Sequence, residues 1–298
     1  MTAQTHSAPK AEPTLRTSGE PFAPRAFRGL LKASIGLSIL VLAVLMIDVL
    51  RDGLPELSID FLTSPASINP AKAGIEPAIL GTLWLIGVAI VVIVPLGVAS
   101  AIYLEEYADP TKWYNRVIEV NIQNLAAVPS IVYGILGLAF IVRGPLAQGP
   151  TILAGGLTLG LLVLPVVIIA AREAIRSVPQ AIRQGALALG ATKWQSISRQ
   201  VLPASVPGIA TGVILALSRA IGETAPLIVV GAAVYVTSNP TSLDDKFTAL
   251  PIQIFEWISR PQEQFQLLAA AGIIVLLVIL VAMNSVAIAL RNRYQQKW

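Results

Sequence analysis

No cysteine occurs among the 298 residues, and the single histidine, His6, stands in a polar N-terminal stretch. Disulfides, thiolate chemistry, a His/Cys metal centre and a nucleophile–histidine triad are excluded by inventory. Charge is scarce too: 13% of the residues are charged, against roughly 25% in an average soluble domain, while 55% are hydrophobic. A soluble core cannot bury that excess, so the chain reads as an integral membrane protein in contact with lipid. None of the seven lysines follows a glycine, which leaves no ordinary phosphate-cradling ATP loop. Net charge is +4 and the isoelectric point about 9.5. The basic residues gather at the ends of apolar runs and not on a polar domain, a topological pattern that speaks against nucleic acid.

What is present is a set of long apolar windows. About 20 mostly apolar residues are needed to cross a bilayer as a helix. Six windows qualify, approximately Leu30 to Leu50, Ile79 to Leu104, Ile122 to Val142, Pro150 to Ala171, Ser205 to Val236 and Leu267 to Leu290. The expected fold is all-α and polytopic. It has a disordered tail over 1–28, a first spanning helix over 29–51, an outer loop over 52–78, a five-helix core over 79–290 and a short tail over 291–298. The first window is too long for a signal peptide and lacks a small-residue cleavage site, so it is read as a retained helix. Lys and Arg divide fifteen to five between the two sides, with Arg219 inside a span, which places both termini and the loop between the fourth and fifth windows in the cytoplasm. Glu105, Glu106, Asp109 and Glu119 sit among the basic residues of the second loop, although acids count for little in this rule.

Pro95, Pro129, Pro165 and Pro226 each interrupt a window, removing a backbone donor and favouring a kink. Gly156 and Gly160, and Gly208 and Gly212, recur four apart, a spacing that serves close helix packing. The segment Thr248 to Ile258 is apolar but short for a span; it reads as an interfacial or re-entrant helix, or as one packed laterally on its neighbours. Arg219 and Glu223 lie near the middle of the fifth window. A charge at bilayer depth costs roughly 2.5 to 3.5 kcal/mol even on the lenient insertion scale. Four apart on one helical face, the two can satisfy each other while facing a wet path. They are either part of an ion or substrate route or a structural lock between helices.

The loop after the fourth window runs from Arg183 to Pro203 and is too polar to span. Ser177 and Pro179 are candidate start residues and Gly190 a stop, giving a short helix near 178–191 whose exposed apolar residues want a partner groove. This loop resembles the signature of the inner-membrane permease subunits of bacterial ABC importers: Glu-Ala-Ala, three residues, Gly, nine residues, Ile, one residue, Leu-Pro. The corresponding positions here are Gln184, Gly185, Ala186, Gly190, Gln200, Leu202 and Pro203. Three depart from the pattern, Gln for Glu, Gly for Ala and Gln for Ile, while the spacing survives.

Within that family, Ala101 to Ala108, Gln123 to Gly134 and Ser218 to Pro226 resemble the phosphate permeases. The short first outer loop is more similar to the A-type subunit than to its C-type partner. The resemblance implies a type I importer core in the bacterial cytoplasmic membrane that is a transport subunit and not an enzyme. It also implies a second homologous permease subunit, two ATP-binding subunits that hold ATP and magnesium, and an extracytoplasmic phosphate-binding protein; this chain itself carries no cofactor. Gln184, Gly185, Ala186 and Gly190 would form the ATPase-docking helix, and Arg219 and Glu223 match the pair implicated in phosphate passage. Ser130 and Tyr133 beside Pro129 are candidate hydroxyl donors on the path, or simply packing residues. Another oxyanion (sulfate or molybdate), a self-sufficient channel or carrier, and a non-transporting sensor or scaffold are the rival readings.

Overall fold

The computed structural model describes residues 22–232 and 236–294, and every element in them is helical. The chain divides into a unit ending at Asp48 and a second beginning at Val49. Helix α1 spans Phe22–Gly53. It starts earlier than expected, so residues 22–28 belong to it and not to the tail; Pro24 is tolerated because the first turn has no intrahelical acceptors for its N–H groups. The rest of the expected tail, 1–21, lies outside the described residues.

In the second unit the loop between the first two apolar windows is built from short pieces. These are a 3₁₀ turn at Leu54–Glu56, α2 at Ile59–Thr63 with Ser58 as its N-cap, and a 3₁₀ turn at Pro70–Lys72 capped by Asn69. Helix α3 (Glu76–Ile102) continues into a π-helical turn, Tyr103–Tyr107. Helices α4 (Trp113–Ala126) and α5 (Ser130–Leu136) follow, the latter extended by a π-helical stretch to Val142. Next come α6 (Ile152–Arg176), α7 (Gln180–Ala188) and α8 (Lys193–Ser196), then a π-helical link (Ile197–Val201) into α9 (Leu202–Ile221). Helices α10 (Ala225–Val230), α11 (Leu250–Ile258) and α12 (Glu263–Tyr294) complete the chain.

Among the described residues, five helices are long and apolar enough to cross a membrane, or six if the bent pair α4 and α5 counts as one span. That pair corrects the expected continuous third window: the chain turns by 108° between Ala126 and Ser130. Pro129, which lacks an N–H and disfavours helix in the residue before it, stands at the corner. The fifth window is also broken, because α9 stops at Ile221 and α10 begins at Ala225 with Pro226 in its first turn. Pro95 and Pro165, by contrast, stay inside α3 and α6.

Helix α6 is the axis of the second unit, packed against α3 on one side and α9 on the other. Glycines bring the backbones together there. A Cβ on Gly156 would come within 2.6 Å of Val88 on α3, and one on Gly212 within 2.3 Å of the Ala170 Cβ. The four-residue glycine spacing is thus a packing device. At one end of α3, Leu250, Ile254 and Trp257 of α11 join Phe61, Ile75 and Phe265 in a buried cluster. Thr82 Oγ1 accepts the Leu250 N–H at 2.9 Å. Lateral packing therefore accounts for α11.

Candidate translocation pair and docking surface

Arg219 occupies the last turn of α9, where a cation is favoured by the carbonyl end of the helix. Gly222 and Glu223 close the helix through bonds to Arg219 O and Ala220 O, both 3.2 Å. Glu223 then lies in the break, and its Oε1 accepts from Arg219 Nε at 3.3 Å. The pair exists as expected, but it does not sit on one continuous helical face: the helix ends between its members. Arg219 keeps half its side chain exposed (52%) and Glu223 much less (18%). Behind it, Ala220, Ile221 and Leu217 share a buried apolar cluster with Tyr133.

Helix α5 packs on α10, where a Cβ on Gly134 would fall 2.7 Å from Pro226 Cα. Ser130 and Tyr133 are therefore carried beside the segment that follows Glu223. Tyr133 is buried, and its hydroxyl donates to Leu125 O at 2.8 Å across the bend. That bond makes Tyr133 a brace for the broken span, and its proton is already committed. Ser130, half-buried, begins α5. Neither residue hydrogen-bonds to Arg219 or Glu223 among the described residues. A neighbour that sequence reasoning missed is Asn284 of α12, whose Oδ1 accepts from Ser218 Oγ at 2.7 Å and ties α12 to the turn that carries Arg219.

The loop after α6 forms the expected short helix, α7, within the 178–191 interval. Gly190 ends it in the left-handed region (φ +84°), which favours glycine. Ala191 N–H returns to Ala186 O at 3.1 Å, satisfying a terminal carbonyl. The start differs from expectation: Pro179 is the N-cap, and Ser177 Oγ donates back to Ala174 O. Gln184, Gly185 and Gly190 are exposed and Ala186 half-buried. Leu189 is 91% exposed, and Leu187 and Trp194 are also uncovered, so the loop presents an apolar face on which none of the described residues packs. Thr192 and Gln195 form a capping box that starts α8.

The acids of the second loop are not idle charges. Glu105 receives Arg176 Nε and Nη2, both at 3.0 Å, and lies 3.6 Å from Arg172 Nε; Arg172 Nη1 reaches Glu119 at 3.1 Å. Glu106 Oε1 accepts from Arg183 Nε at 2.9 Å, while Nη1 and Nη2 of Arg183 reach Val178 O at 2.5 Å and Ile175 O at 2.8 Å. The only signal of this network in the sequence is two adjacent acids after one span and three arginines after another.

Residues 93–296 match the family described as the inner membrane component of binding-protein-dependent transport systems. The chain belongs to that family. It is 36% identical over 219 residues to the phosphate transport system permease protein PstA of Yersinia pestis, covering 74% of this chain and 72% of the relative. It is 35% identical over 221 residues to PstA 1 of Mycobacterium tuberculosis (73% and 70% covered), and 31% identical over 232 residues to the probable ABC transporter permease YqgI of Bacillus subtilis (76% and 77%). Among solved structures, a bacterial alginate ABC transporter in complex with its pentasaccharide-bound periplasmic protein has a similar fold (TM-score 0.66, 19% identity, 89% and 95% covered). A MetNI methionine transporter in an inward-facing form is a second fold relative (TM-score 0.56, 14% identity, 72% and 92% covered). The chain is thus an inner-membrane transport subunit and not an enzyme.

Proposed function

We propose that this chain is the transmembrane permease subunit of an ATP-driven ABC importer that carries inorganic phosphate across the cytoplasmic membrane. The observation that carries the reading is the Arg219–Glu223 pair at the break between α9 and α10, in a chain that aligns over most of its length with permeases named for phosphate transport. A half-exposed guanidinium presents paired donors to a tetrahedral oxyanion. Glu223, bound to it through a single 3.3 Å contact, orients the fork and tempers its charge, so that an anion leaves as readily as it enters. Ser130 adds a hydroxyl nearby, and Tyr133 holds the bend that carries it.

The assembly that fits this role contains a second homologous permease, two ATPases that bind ATP and magnesium, and an extracytoplasmic phosphate-binding protein. The exposed α7 face with Gln184, Gly185, Ala186 and Gly190 is the seat of one ATPase. Both termini and the loop around Ser196 lie on the cytoplasmic side and Asn239 outside; single-cysteine labelling at the exposed positions 195 and 239 in this thiol-free chain checks the arrangement. The deciding experiment is labelled-phosphate uptake in cells lacking the chain, with sulfate and molybdate as competitors. Uptake should fall on deletion and resist both competitors. Normal uptake after deletion, or uptake that survives loss of ATP, would sink the proposal, and strong competition by sulfate or molybdate would reassign the substrate.

A further inference from the structure

Helix α7 has nine residues, too few to be stable in water without attachment, so what fastens it decides what a force applied to it moves. Its outer face is open, and it is held to the unit from the inside. There Arg183 is 12% exposed and Glu106 8% exposed. One guanidinium bonds to Glu106 in the π-helical turn after α3 and to the carbonyls of Ile175, in the last turn of α6, and Val178, just beyond it. The Ile175 carbonyl already has a long 3.3 Å turn bond from the Val178 N–H, and a planar fork with five donors adds a shorter contact there while meeting the other two acceptors at once. A single side chain thereby joins α7, α6 and α3. Helix α6 is in turn seamed to α9 through Gly208 against Ala174 and Gly212 against Ala170, and α9 carries Arg219 in its last turn.

We infer that Arg183, latched to Glu106, is the positioning residue that transmits movement of the docking helix to α3 and α6, and through α6 to the arginine-bearing end of α9. The inference rests on the importer reading above. With the latch intact, α7 moves with the two helices as one body. Without it, α7 swings on the Ser177–Pro179 connection while the helices stay behind, and ATP is hydrolysed without transport.

The test uses the complete importer complex in proteoliposomes with its binding protein, and reads phosphate taken up per ATP hydrolysed together with the amount of ATPase retained. Arg183→Gln and Glu106→Gln should each lower that ratio roughly ten-fold, within the usual span of coupling free energies, while ATPase retention stays near that of the unaltered complex. Arg183→Lys should fall between, because an ammonium keeps the charge but not the fork. As a second arm, Arg183→Cys with Glu106→Cys should be uncoupled until a short bis-maleimide joins the two thiols, whereupon the ratio should recover. A ratio unchanged in the variants overturns the inference. So does a loss of uptake and hydrolysis in step with lost complex that crosslinking does not reverse, since the pair would then serve folding alone. If uptake by the unaltered complex does not depend on ATP, the importer reading fails first and the latch with it.

Discussion

Two kinds of Arg–Glu contact occur in this chain, and they are built differently. The latch at Arg183 is buried on both sides, and each nitrogen of its guanidinium is engaged by one carboxylate or one of two carbonyls. The pair at Arg219 is joined by one 3.3 Å contact at a helix break, with half the arginine uncovered. A guanidinium held at all three nitrogens has little left to offer a ligand, whereas one tied at a single nitrogen has two free. The first arrangement fixes geometry; the second leaves a half-exposed guanidinium on a broken helix, the fork we propose for the anion.

The change expected to do most is Arg219→Gln. It should reduce phosphate uptake by at least two orders of magnitude, since a lost charge-assisted bidentate contact is worth about 3 kcal/mol. The complex should still assemble, because a half-exposed pair contributes only about 0 to 1 kcal/mol to stability. The double replacement Arg219→Gln with Glu223→Gln sharpens the contrast: it should assemble and remain inactive. Recovery of transport in the double variant would make this pair a lock like the other and erase the distinction.

Glu105→Ala probes the buried side of the comparison. It removes the carboxylate that Arg176 and Arg172 share and leaves Arg172 with Glu119 alone, and the loss of one partner from so buried a network costs about 1 to 3 kcal/mol. Thermal stability of the complex in detergent should drop by several degrees. An unchanged transition would mean that water compensates these arginines and that the network is not structural.

Glu223→Gln should have a smaller effect on uptake, roughly ten-fold, since the amide oxygen still accepts from Arg219 Nε but no longer balances its charge. Wild-type uptake from Glu223→Gln would show that the carboxylate neither positions nor tempers the arginine.

The smallest effect concerns a carboxylate that forms no ion pair among the described residues. Asp245 accepts from the backbone N–H groups of Thr241 and Ser242 and from the Thr241 hydroxyl, which lowers its pKa to about 2. The same loop meets the start of α6 through Ile152 N–H to Asp245 O and Leu153 N–H to Leu243 O. Because the folded value lies below the ordinary 3.8, the contribution is complete above that value and is lost as pH falls towards about 2. Asp245→Asn should melt slightly below the unaltered protein at pH 6, and the gap should close on acidification to pH 2. A gap independent of pH would mean the charge on Asp245 is irrelevant to the loop.

The membrane class, the number of apolar windows, the short helix α7 with its Gly190 stop and the Arg219–Glu223 contact were all legible in the sequence. Hydropathy, glycine stereochemistry and charge at depth are local properties that need no knowledge of neighbours. The tertiary structure alone decided where the third and fifth windows break, that Tyr133 braces the bend, and that Glu105 and Glu106 answer arginines 71 and 77 residues away. Hydropathy summed along a window does not register a break, because the backbone groups freed there are satisfied by packing partners elsewhere in the chain. Whether an arginine is consumed or left free is likewise settled by which distant acids the fold delivers to it. Local chemistry named the charged residues, and packing sorted them into a latch and a fork.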